Sequence, residues 1–301
     1  MSAWRSSTAA AGKWAGARLA VALHVVLGRR GRSSSGVLLY HRVCPYVNGS
    51  APTMAVRPER LHAQLAGLQQ RGWRFVPLRE LVQRLDTGDE PEPGTAAITF
   101  DDGYDGVHTH ALPVLRELGV PATVLVATAF IGTNSPFPFD PWGQEASRAG
   151  GESSAWRPLT WTQIGELEAS GLVDVGSHSH THADFRHRPD ALRDDVALSL
   201  AALDEHLGTR PRPFAFPFGD PRSGFATQAL ADEVRALGAW CALTTEIAPV
   251  DANTDSYAIG RIEAAGSDTA ATLEAKLRGW YRWMNTGRAA FQRVAGSKEA
   301  A

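Results

Sequence analysis

The chain has 301 residues, 44% of them hydrophobic, which is enough to bury one large core or two small ones. Its 30 lysines and arginines against 32 acidic residues give a formal charge of −2, which argues against a nucleic-acid partner. The two cysteines, Cys44 and Cys241, show neither metal spacing nor a disulfide framework and read as buried thiols.

Residues 1–35 read as a basic, partly apolar extension and linker. Arg5, Lys13 and Arg18 precede the apolar run Leu19 to Gly28, which falls short of the roughly 20 residues that span a bilayer. No clear small-x-small cleavage site is present. The run is expected either to lie on a membrane surface or to pack on the domain, so residues 1–32 give a peripheral membrane contact as one expectation. The corresponding location is cytoplasmic or at the membrane surface. Gly31 to Gly36, rich in serine and glycine, reads as the linker.

From Gly36 onward strands alternate with helices. Val37 to Tyr40 reads as a strand. Leu61, Leu65 and Leu68 mark one helix face, and Leu78, Leu81, Val82 and Leu85 another before Gly88. Ala96 to Phe100 is a strand, Leu112, Leu115 and Leu118 line a helix ending at Gly119, and Ala122 to Ala127 is the next strand. Residues 131–158 read as one long loop, of a length usually functional or mobile. Thr160 and Gln163 form a capping box. A strand over Leu172 to Ser177, a helix from Pro189 to Leu207, and strands near Phe214, Ala239 to Leu243 and Tyr257 to Ile262 follow. Such alternation implies a parallel sheet covered by helices. Leu273, Leu277, Trp280, Tyr281 and Met284 suggest a helix packed on the outside. A domain over residues 36–265, with a helix and tail over 266–301, is the expected division.

Two segments carry chemistry. Thr99-Phe100-Asp101-Asp102-Gly103-Tyr104 puts adjacent carboxylates at a strand end. Within a strand they would face opposite sides; where glycine lets the chain turn, both can reach one cavity. Crowded carboxylates repel, and a bound cation would relieve this, keeping one as ligand and freeing the other as a base. A solvated Asp-Asp-Gly turn is the plain alternative. Gly176 to His182 holds His178, His180 and His182, again after an apolar run. Two of the three can share a face in either helical or extended geometry. One carboxylate with two imidazoles suits a hydrolytic metal centre or a non-haem iron oxygenase. The spare aspartate beside it favours hydrolysis.

The first segment resembles the opening motif of the polysaccharide deacetylases, carbohydrate esterase family 4, and Gly176 to His182 resembles the second. Phe214 to Gly219 is similar to the third, a groove wall, and Leu38 to Val43 to the tyrosine-histidine opening of one branch. The resemblance implies an α/β fold, an irregular (β/α) barrel of about seven parallel strands. It implies metal ligands Asp102, His178 and His182, Asp101 as base, and a divalent ion, zinc first, with cobalt, nickel or iron acceptable to the same donors. The substrate implied is an N-acetylated amino-sugar carbohydrate. Tyr104, Phe216, Pro217, Phe218, Trp161 and Arg261 are the expected substrate-binding residues. Trp142 and Trp156 are further rings available to stack on sugar.

Two departures stand out. The arginine that often opens the third motif, paired with the base, is matched by Ala215, leaving Arg212 or Arg261 as partner. The late histidine that protonates the amine is missing, since none follows His206, and His41 is the chosen general acid. The alternatives are an amidohydrolase on a small N-acyl compound and a catalytically weak carbohydrate-binding relative.

Overall fold

The computed structural model describes residues 34–45 and 54–280. Its frame is a wholly parallel sheet built from β1 (Gly36–Tyr40), β4 (Arg74–Phe75), β5 (Thr95–Phe100), β6 (Ala122–Val126), β7 (Val173–Ser177), β8 (Phe214–Ala215), β9 (Ala242–Leu243) and β10 (Ile262–Glu263). The order is β10-β1-β5-β6-β7-β8-β9, with β4 on the first half of the β5 edge that β6 occupies further along. The last segment spans both ends of this row. Ile259 bridges Leu243, and three residues later Ile262 pairs with Leu38. This is an irregular (β/α) barrel. A separate short pair, β2 (Arg42–Val43) with β3 (Ala55–Val56), follows β1.

The helices cover the sheet because their apolar stripes need burial, most on its outer face and α2 against the barrel interior. They are α1 (Pro58–Gln70), α2 (Leu78–Asp86), α3 (Leu112–Leu118), α4 (Pro141–Arg148), α5 (Trp161–Ala169), α6 (Pro189–Leu207), α7 (Gln228–Ala236) and α8 (Ala270–Leu277). Leu61, Leu65 and Leu68 of α1 bury against Leu38, Ile98 and Phe100. Alternate residues of the same strands, Val37, Ala97, Leu125, Ala215 and Leu243, face inward onto α2 and its Leu78, Leu81, Val82 and Leu85. Residues of β1 and β5 are buried throughout, which is why both read as unbroken apolar runs.

Thr160 caps α5 through the expected reciprocal box with Gln163. Gly119 ends α3 in a left-handed turn (φ 63°). The 131–158 stretch is not one loop. It holds α4, opened by Asp140 as N-cap and Pro141 at its first position, and a 3₁₀ turn at Ser153–Ala155. The pairs β2, β3 and β4 are each two residues long, too short to show a periodicity. Leu273 and Leu277 are buried on α8, the described part of the expected C-terminal helix. The expected N-terminal run, Tyr281 and Met284 lie outside the described residues. No helix among the described residues is long and apolar enough to cross a membrane. Cys44 and Cys241 are both free and buried.

Candidate active site

Strand alternation delivers the first carboxylate. Ala97, Thr99 and Asp101 share the inward face of β5, so Asp101 stands at the top of the barrel interior, buried. By the same alternation Asp102 would point outward, but it turns back through a left-handed backbone (φ 70°), followed by Gly103 (φ 90°). Asp102, Ser179, His182 and Phe218 are four of the five described non-glycine residues with positive φ. Strain of this kind collects at sites that other contacts hold in place.

β7 delivers the imidazoles. His178 continues the inward face of Gly176, and its Nδ1 lies 2.8 Å from the Ala215 carbonyl oxygen. That contact makes Nδ1 the protonated nitrogen and leaves Nε2 a bare lone pair, 3.5 Å from Asp102 Oδ1. His182 Nε2 is also 3.5 Å from Asp102 Oδ1. The loop between them is held by Asp195 of α6, whose carboxylate accepts the backbone N–H groups of His180 and Thr181. His180 turns aside to Thr128, with Nδ1 2.9 Å from its hydroxyl.

Asp102, His178 and His182 therefore offer three buried donor atoms within 4.8 Å of one another. At 3.5 Å each imidazole nitrogen stands beyond direct hydrogen-bond contact with the Asp102 oxygen, which leaves room for a cation between them. Atoms about 2.0–2.1 Å from a tetrahedral zinc stand about 3.4 Å apart, so the residues present fit such an ion. Burial and the charge of Asp101 push the Asp102 carboxyl well above its usual range. Burial lowers the His178 imidazole, and burial with His178 lowers His182 to about 3. Both histidines are thus neutral, the form a metal ligand needs.

Asp101 is held differently. Arg261, fully buried, donates to both its oxygens at 2.7 Å and also donates from Nε to the Thr244 carbonyl at 3.0 Å. Burial opposes ionisation of Asp101, but the charge and paired hydrogen bonds of Arg261 outweigh it and hold the carboxyl well below its usual range. Arg261 is consequently spent on the aspartate and cannot contact substrate, a correction to its expected role. Arg212, the other candidate partner, sits at the far end of β7 with Glu168 and the carbonyls of Val175 and Gly208.

Other expected substrate contacts divide. Phe218 is half exposed and stands edge-on to His182 at 5.0 Å, at the lip of the site. Phe216 is buried against Phe214 and Pro217 is buried beside it, so neither ring reaches a groove. The Tyr104 phenol turns inward and donates to Asp140 at 3.0 Å, so it lies buried beside Asp102 rather than in a sugar-binding groove. Trp161 stacks on His206 at 4.0 Å, between α5 and α6. Trp142 carries the Arg42 guanidinium, and the Trp156 indole donates to the Gly151 carbonyl. These corrections share one cause: a large ring is first of all core material.

His41 follows β1, with Nδ1 buried and no hydrogen-bond partner among the described residues. Burial lowers its imidazole to about 4, the field of Asp101 opposing and Arg261 reinforcing. It is neutral at pH 7 and can give a proton only after accepting one.

Three residues escaped the sequence reading. Phe139 stacks on His182 with ring centres 3.9 Å apart and planes at 18°. Asp140, next to it, binds Arg42, the Tyr104 hydroxyl and the Gly143 N–H. Arg42 lies over the Tyr104 ring at 4.3 Å. The Asp140-Pro141 pair was a readable helix start; nothing in sequence marked Phe139.

Fold and cluster together define a parallel (β/α)-barrel protein with a carboxylate–imidazole site at the C-terminal ends of its strands. The polysaccharide deacetylase family model matches residues 88–239, and the chain belongs to that family. Poly-beta-1,6-N-acetyl-D-glucosamine N-deacetylase of Escherichia coli strain K12 is 26% identical over 217 residues, covering 62% of this chain and 30% of that protein. The enzyme of the same name from Staphylococcus epidermidis is 23% identical over 254 residues, 77% of this chain and 79% of the relative. Among solved structures, IcaB from Ammonifex degensii superposes with a TM-score of 0.64 at 27% identity, covering 83% of this chain and 97% of its own. The Streptococcus pyogenes deacetylase PplD, at 19% identity, shares the fold with a TM-score of 0.64 over 81% of this chain and 98% of its own.

Proposed function

We propose that the chain hydrolyses N-acetyl groups from an amino-sugar polysaccharide, with Asp102, His178 and His182 holding one divalent ion. The observation that carries this reading is the convergence of three buried potential ligand atoms beside an Arg261-paired Asp101. A zinc ion suits this donor set, and cobalt, nickel or iron would also be accepted. When bound, the ion supplies Lewis acidity toward the acyl oxygen and a water acidified enough to be deprotonated near neutral pH.

The chain's own residues do the rest. Asp101, fixed by the Arg261 fork, takes a proton from the attacking water. The Tyr104 backbone N–H, which bonds no acceptor among the described residues, donates to the oxyanion as the carbonyl is attacked. His41, neutral at rest, takes that proton on from Asp101 and gives it to the departing amine, so both groups end the cycle as they began it. Phe218 gives the sugar ring an apolar face at the rim. Family membership and the named relatives support the carbohydrate substrate.

Metal content and freed acetate, measured together on acetylated β-1,6-linked glucosamine oligomers, test the reading. The parent should release acetate, Asp101→Asn should keep metal but lose turnover, and His178→Ala should lose both. Turnover confined to small N-acyl amides would replace the substrate assignment. Full metal occupancy in His178→Ala would overturn the ligand set.

A further inference from the structure

The two imidazoles of the cluster are oriented by different means. His178 has the usual support, a ring nitrogen hydrogen-bonded to a backbone carbonyl, Ala215, at 2.8 Å. His182 has no such support from another residue: its Nδ1 is buried with no partner of hydrogen-bond geometry among the described residues, and the backbone group beside the ring is its own. The second torsion of a histidine is soft, so a ring without a hydrogen bond takes its tilt from its neighbours. Those neighbours are unequal. His178 and Phe218 meet the ring edge-on at 4.9 and 5.0 Å, both at 70°, whereas Phe139 lies flat against it at 3.9 Å and 18°.

Phe139 is itself firmly placed. It stacks on Phe137 at 5.1 Å, and Phe137 is fully buried, edge-on to Tyr104 at 4.9 Å. Phe130 closes the group at 5.7 Å from each. The following residue, Asp140, is pinned by Arg42, the Tyr104 hydroxyl and the Gly143 N–H. The excursion between β6 and α5 thus presents one flat ring to one metal-ligand candidate, from a base anchored on both sides.

We infer that Phe139 is a positioning residue that replaces the missing hydrogen bond of His182, holding its imidazole plane so that Nε2 meets Asp102 and His178. The inference rests on the proposed ligand set and adds to it a residue that offers no ligand atom to an ion. A ring face is required for this, not apolar bulk: a planar substitute keeps the tilt, and a branched aliphatic one does not.

The test is zinc affinity of the chelator-stripped full chain, read by competition with a chromogenic chelator, with the thermal midpoint of each stripped protein as control. Phe139→Tyr should stay within about threefold of the parent, while Phe139→Leu and Phe139→Ala lose about 10- to 100-fold, the range typical of outer-shell support. Phe225→Ala, which removes a ring touching Phe218 but no imidazole, should leave affinity unchanged. If Phe139→Ala does not fold, Phe139→Leu, which keeps apolar volume, decides. Parent-like affinity in a folded Phe139→Leu would overturn the inference alone. A parent chain that binds no stoichiometric zinc would instead sink the ligand set on which it rests.

Discussion

The Arg261 guanidinium meets the Asp101 carboxylate in two 2.7 Å hydrogen bonds, across 160 positions of sequence. β5 and the segment running into β10 are not neighbours in the sheet; the pair reaches across the interior, between β1-flanking strands. Its planar fork explains why an arginine stands here and why a lysine would not serve.

Removing Arg261 leaves a buried, uncompensated carboxylate. Arg261→Ala should lose about 3–5 kcal/mol of stability, read as a urea midpoint at pH 7. Asp101 is depressed in the folded state, so it contributes stability that is fully present above the ordinary carboxylate range and lost as pH falls through its folded value. In Arg261→Lys the carboxyl should rise and the acid limb of the kcat/KM profile move to higher pH. An unshifted limb would show that the fork does not set the base.

The His41 imidazole, lowered to about 4 against an ordinary 6.5, gives the opposite kind of test. Above 6.5 it is neutral in both folded and unfolded chains and costs nothing. As pH falls from 6.5 to 4 the unfolded chain takes up a proton that the folded chain refuses, so stability declines across that window. His41→Gln should flatten this decline in the stripped protein, measured by urea midpoints at pH 4.5 and 7. The same variant should lower kcat by about 10²- to 10⁴-fold at saturating zinc. Retained turnover would move the proton return to Asp101.

Asp195 supports the histidine loop from beneath. Asp195→Ala strips the acceptor from the His180 and Thr181 N–H groups and should destabilise the chain by about 1–3 kcal/mol. Zinc affinity should fall with it, because His182 sits one residue beyond the last of these bonds. Asp195→Asn, which keeps one acceptor oxygen, should recover part of both in calorimetry and chelator competition.

Two glycines should respond in opposite senses. A Cβ at Gly176 would stand 2.3 Å from the Pro213 oxygen and 2.8 Å from Leu125 Cδ1, so Gly176→Ala should destabilise by at least about 1–3 kcal/mol. A Cβ at Gly165, inside α5, meets nothing within 4 Å, and Gly165→Ala should stabilise by about 0.5–1 kcal/mol. Thermal midpoints of the two variants read both signs.

Periodicity made α1, α2, α3 and α6 visible, and unbroken apolar runs marked β1, β5 and β6, because burial dictates residue type along whole elements. The acidic pair and the histidine triplet were legible as chemistry because few local structures use them. Strands of two residues, such as β2 and β4, carry no period to read. The choice between Arg212 and Arg261 was invisible for a different reason: both are buried arginines, and only the barrel's closure decides which one meets Asp101. Aromatic residues misled most, since Phe216, Tyr104 and Trp161 fill space where a sugar platform was expected, while Phe139 sits in a stretch read as loop.

The bridging segment from Ile259 to Ile262 has a consequence for biosynthesis. A nascent chain emerging N-terminus first would present both histidines and both aspartates well before Arg261 left the ribosome. Until then Asp101 has no counter-charge, and the row of strands has two unpaired flanks. Competence therefore arrives late and all at once, when the final crossing strand docks, and premature termination anywhere before it should yield an inert product.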